Sequence, residues 1–144
     1  MSDDLPAPGR SHPLRSAVIA PTWGEQAIAI VLSLVATVVI GRLLSLLGNP
    51  EGSGLRMMLS LLGILMTFSV MFSWIGHLAG ALVLQALFAR GWAGWAVVAL
   101  AGLLVGAVLA QVLGGLGIVM APMLALLQLV ALRLVVANRS RASG

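Results

Sequence analysis

His77 and Ser73 stand one helical turn apart in an otherwise apolar stretch, and they are the pair in this chain most able to do chemistry. A histidine at membrane depth can relay protons, or ligate the metal of a haem or a porphyrin-type pigment. Ser73, Gly76 and Gly80 on the same stretch leave room for a flat macrocycle. The plainer role for His77 is an interfacial or hydrogen-bonded histidine, with Ser73 as its partner. A serine beside a histidine also resembles a nucleophile with its base. Here no orienting acid or oxyanion motif accompanies the pair, so catalysis is not expected.

Three glutamines follow in rank. Gln128 sits near the middle of the last apolar stretch, Gln111 near the end of the third, and Gln85 late in the second. An amide in lipid seeks a partner, which makes Gln128 and Gln111 candidates for buried interhelical glue or for the lining of a polar path. Glu25 is the only acid near an apolar stretch, and three residues after Thr22 it completes a helix-capping box. No embedded carboxylate pair is present, which counts against an ion-coupled pump and against acid–base or metal-assisted reactions. The chain has no cysteine, so disulfides and thiolate metal sites are excluded.

Small residues form two ladders at helical spacing. Gly102, Gly106, Ala110 and Gly114 recur every four residues, and Ser69, Ser73, Gly76 and Gly80 form a second strip. Such faces let backbones approach closely and replace the hydrophobic drive that lipid removes. They predict packing of helices 2 and 3 against each other or their neighbours, or against another subunit. Met57, Met58, Met66 and Met71 add adaptable apolar surface to the second stretch.

These residues need a scaffold, and composition dictates its solvent. The chain is 144 residues long, 60% hydrophobic and 8% charged, against about 25% charged residues in a soluble domain. The net charge of +4 comes from arginines alone, placed near helix ends, which reads as topology and lipid-headgroup contact rather than nucleic-acid binding. At about 20 apolar residues per crossing, an all-α, polytopic membrane protein with about four transmembrane helices is expected.

Residues 1–21, broken by Pro6, Pro8, Pro13 and Pro21, read as a disordered tail and not as a cleaved signal peptide. The membrane domain spans 22–137, with helices at about 23–47, 55–89, 92–113 and 118–137, and residues 138–144 form a short basic tail. The turn at residues 48–54, Gly-Asn-Pro-Glu-Gly-Ser-Gly, is the clearest break. The second helix exceeds a simple crossing, so it must tilt, protrude or bend near Gly76. Pro122 is expected in the first turn of the fourth helix, where its missing N–H costs little. Arg10, Arg15, Arg90, Arg133, Arg139 and Arg141 fall on one side of the membrane, against Arg42 and Arg56 on the other. That excess predicts an antiparallel bundle with both termini in the cytoplasm.

The functional expectation is a non-catalytic accessory or scaffold subunit of a larger complex in a bacterial inner membrane, partnered by other membrane subunits or by itself. The alternative is a small transport component, either a channel or the small subunit of a multi-part transporter. A third reading is a pigment- or haem-associated subunit using His77.

Overall fold

The computed structural model describes residues 5–142, and all regular structure among them is helical. The four helices are α1 (Trp23–Leu47), α2 (Leu55–Ala89), α3 (Trp95–Leu113) and α4 (Gly115–Ala142). Each is long and apolar enough to cross a membrane. Bounds of α1 and α2 match those expected, and α2 runs unbroken through Gly76 for 35 residues.

Thr22 and Glu25 start α1 with the expected box: Thr22 N–H donates to Glu25 Oε2 at 2.7 Å, and Glu25 N–H to Thr22 Oγ1 at 3.3 Å. The turn after α1 closes on Asn49, whose N–H donates to Arg56 O at 3.0 Å and whose Oδ1 accepts from Glu51 N–H at 3.0 Å. From that turn α2 folds back on α1. Along their interface small residues face one another. A Cβ on Gly41 would lie 2.8 Å from Gly63 O, and one on Gly48 would lie 2.6 Å from Ser60 Cα. Backbone-to-backbone approach of this kind is what small residues permit.

The second close pair is α3 with α4. A Cβ on Gly102 would stand 2.6 Å from Pro122 Cα, and one on Gly106 would stand 2.6 Å from Gly117 O. Gly114 supplies the left-handed turn between them, at φ +62°. Among the described helices α3 touches only α4, while α4 also packs on α1 and, more lightly, on α2. The apolar cluster joining the two pairs lies toward one end: Ala29, Leu84, Phe88, Ala93, Val98, Leu129, Leu132 and Val136 are its buried members, with Ala131.

Three expectations change. Helix 3 begins at Trp95 rather than residue 92, because both backbone groups of Ala93 are engaged elsewhere: its N–H donates to Ser16 Oγ at 3.2 Å and its carbonyl accepts from Arg133 at 2.6 Å. Helix 4 starts at Gly115 and continues to Ala142, so Pro122 is interior to it and residues 138–142 are helical rather than a tail. Room for the proline comes from Gly102 opposite, which places no side chain against it.

The third change concerns the expected disordered tail over residues 1–21. Its described part, residues 5–21, carries no helix or strand but is hydrogen-bonded across the end of the helices. Ser16 N–H donates to Gly91 O at 2.9 Å and Ile19 N–H to Phe88 O at 3.3 Å. His12 O and Pro13 O accept from Trp95 N–H and Ala96 N–H at 3.1 and 2.8 Å. Those are first-turn donors of α3, which Gly94 cannot cap with a side chain. The prolines that excluded regular structure here left carbonyls free to act as that cap. Residues 1–4, with Asp3 and Asp4, and residues 143–144 lie outside the described part of the chain.

Candidate functional site

The polar residues gather along the inner faces of α1, α2 and α4 and form two constellations. The first lies midway along the helices around His77. That side chain is 3% exposed. Its Nδ1 lies 2.8 Å from Ser73 O. A carbonyl can only accept, so Nδ1 carries a proton and donates to it. Nε2 is buried and unpartnered among the described residues, as is Ser73 Oγ. The expected pairing of His77 with Ser73 is therefore made through the serine's backbone, and the hydroxyl stands apart from it.

Gln128 joins this constellation from α4. Its Nε2 donates to His77 O at 2.8 Å, a carbonyl within α2, and its Oε1 faces Gly80, where a Cβ would come within 2.7 Å. Gly80 thus makes room for an amide, and Gln128 bonds α4 to α2. Across from them α1 contributes Ser33 and Thr37, both fully buried. Each donates back to its own helix, to Ile30 O at 2.9 Å and Ser33 O at 2.7 Å.

The other glycines of the two expected ladders separate. Gly102 and Gly106 are consumed by α4, and Ala110 N lies 3.0 Å from where a Cβ on Gly117 would sit. Gly114 is the exposed turn residue, and a Cβ there would meet nothing within 4 Å. On α2, Ser69 donates to Met66 O at 2.7 Å, and Gly76 is exposed with nothing within 4 Å of its Cβ position. Gln111 is not buried, as expected from sequence, but exposed on α3. That face of α3 is turned away from α4, and no other described helix reaches α3.

The second constellation caps the end where the N-terminal segment crosses. Arg133 is 8% exposed and donates from Nη1 to Arg10 O at 3.0 Å and from Nη2 to Ala93 O at 2.6 Å. One guanidinium thereby ties α4 to the segment and to the α2–α3 connection. Gln26 donates to Gln85 Oε1 at 3.1 Å and Ala81 O at 3.3 Å, and Gln85 donates to Pro21 O at 2.8 Å. Glu25 Oε2 also accepts from Arg139 at 3.0 Å, so the acid that caps α1 holds the end of α4 as well.

In the sequence Arg133 stands out only as a charge near the membrane surface, and Gln26, Ser33 and Thr37 are not among the expected site residues. A signal was present: Ser33, Thr37, Gly41 and Ser45 recur every four residues on α1, a ladder like the two already named.

His77 as placed does not fit a macrocyclic metal. An axial ligand needs an accessible ring nitrogen, yet Nδ1 is hydrogen-bonded and Nε2 has no open surface. The constellation instead suits helix association, because its amides and carbonyls bond across helices. The chain matches no known protein family, no curated protein and no solved structure.

Proposed function

We propose that this chain is a non-catalytic accessory or scaffold subunit of a larger complex in a bacterial inner membrane, its helices antiparallel and both termini in the cytoplasm. The observation that carries the reading is the outer face of α2. Phe68, Phe72 and Gly76 are exposed there, and α3, whose own small-residue ladder is filled by α4, does not reach it. In lipid a small residue one turn beyond two exposed aromatic side chains offers a close-packing surface to another membrane helix, from a partner chain or a second copy.

Purification in mild detergent tests it. A partner should copurify with the wild type and be lost with Gly76→Leu, while the helical content and melting of the variant stay unchanged, since a Cβ at Gly76 would meet no neighbouring group within 4 Å. A wild-type chain that runs alone as a monomer overturns the proposal.

A small transport component is the second reading, favoured by Ser73 Oγ and His77 Nε2, buried beside Gln128 without a partner among the described residues. Vesicles holding His77→Leu or Gln128→Leu protein should then lose proton or solute flux. Unchanged flux with intact assembly removes this reading. A pigment- or haem-associated subunit would require α2 to turn His77 outward, and would show as a bound chromophore in the absorption spectrum of the purified protein.

A further inference from the structure

We propose that His12 makes the docking of the N-terminal segment pH-sensitive: the segment is held across the helix ends while this imidazole is neutral and loosens when it takes up a proton. The arrangement at Nδ1 carries the inference. That atom accepts two backbone hydrogen bonds, from Leu14 N–H at 3.2 Å and from Arg15 N–H at 2.9 Å. A ring nitrogen accepts only while it bears a lone pair, so in the docked segment Nδ1 is bare and the proton of the neutral ring sits on Nε2. A histidinium carries an N–H at both positions. Protonation therefore sets three N–H groups against one another where two hydrogen bonds now stand.

The local chain favours this turn. Pro13 follows His12 and has no N–H, so the first donors the ring meets along the chain are those of Leu14 and Arg15. Nδ1 takes the place that an asparagine or aspartate oxygen holds in an Asx turn. The turn is coupled directly to the helices. His12 O and Pro13 O accept from Trp95 N–H and Ala96 N–H, so opening it displaces the carbonyls that cap the start of α3. No charged residue lies on α3, the helix bonded to His12 O. At the same end the segment itself brings Arg10 and Arg15, the end of α2 brings Arg90, and α4 brings Arg133, which donates to Arg10 O. Glu25 of α1 is there too, with its Oε2 on Arg139 of α4. Histidine is the side chain that ordinarily changes charge between about pH 5 and 8. The docked form has no proton at Nδ1 and the loosened form can take one, so docking is strongest at the alkaline end of that interval and weakens as pH falls.

The inference rests on the docked segment and not on the accessory role, so a chain that proves monomeric leaves it intact. The test is hydrogen exchange of the full chain in detergent micelles, resolved to single amides, at about pH 5 and pH 8. Each rate is divided by the intrinsic chemical rate of that amide at the same pH. In the wild type, protection at Trp95 and Ala96 should fall roughly tenfold at the lower pH, as expected for the loss of two neutral hydrogen bonds, while amides along α1 keep theirs. His12→Asn supplies an acceptor oxygen that does not titrate, and should hold the higher protection at both pH values. His12→Leu supplies none, and should show the lower protection at both. Equal wild-type protection at the two pH values overturns the proposal without recourse to a variant. A pH response that survives in His12→Asn overturns it too, by assigning the response to another group. So does His12→Leu protein that is as protected at the higher pH as the wild type.

Discussion

Arg133 is the residue on which the described end of the molecule depends most. A buried guanidinium is costly unless its donors find partners, and here the carbonyls of Arg10 and Ala93 take one bond from each Nη nitrogen. Arg133→Met should lower stability by about 3 kcal/mol, since hydrogen bonds from charged donors are worth about 1.5–3 kcal/mol each and Ala93 O would be left bare. Unfolding by denaturant in micelles measures the loss, and faster proteolysis within residues 5–16 should accompany it. Lysine should not rescue, because a single ammonium cannot span both carbonyls. Gln128→Leu should cost less, about 0.6–2 kcal/mol, the range for one interhelical amide bond in a membrane protein. A variant as stable as the wild type would mean that the bond to His77 O contributes nothing.

At the scale of elements, the decisive contacts are backbone to backbone. Gly63 faces Ser45, where a Cβ would come within 2.6 Å of the hydroxyl oxygen, and Gly106 faces Gly117 O at the same distance. Gly63→Leu should part α1 from α2, and Gly106→Leu should part α3 from α4, each at a cost at or above the 1–3 kcal/mol typical of overpacking. Gly76→Leu should leave the melting temperature where it was. The three variants measured side by side tell whether helix pairs or the outer face of α2 depend on each glycine. The helices themselves were legible in sequence, because long apolar runs and the turn at residues 48–54 leave few alternatives. Which ladder meets which helix was not legible. The spacing of Gly102, Gly106 and Ala110 specifies a face, and nothing in one helix records what lies against it.

At the scale of the whole molecule, the N-terminal segment acts as a strap across the helix ends. It supplies the carbonyls of His12 and Pro13 to the uncapped start of α3 and the hydroxyl of Ser16 to Ala93. Deleting residues 1–15 should therefore loosen the docking of the α3–α4 pair on α1 and α2, seen as faster hydrogen exchange at Trp95 and Ala96 with little change along α1. Equal exchange in the two proteins would contradict a capping role. The arginine asymmetry predicts a separate outcome for the assembled topology: a reporter fused after Gly144 should be active only in the cytoplasm. Activity on the far side would reverse the orientation or change the number of crossings.

The sequence by itself determined that this chain is helical and apolar enough to cross a membrane, and where α1 and α2 begin and end. Hydropathy, capping residues and turn glycines are local, so they can be read along the chain. Tertiary structure alone decided that Arg133 is buried, that Gln111 is exposed and that the proline-rich segment is held in place. It also decided that His77 buries a ring nitrogen with no hydrogen-bond partner among the described residues. Each of these depends on groups supplied from far along the chain: Ala93 and Arg10 for Arg133, the α3 N-terminus for residues 12 and 13, and Gln128 for the helix around His77. Burial and hydrogen-bond satisfaction are properties of assembled surfaces, and the residues that would later do the satisfying carry no mark of it in their own neighbourhoods.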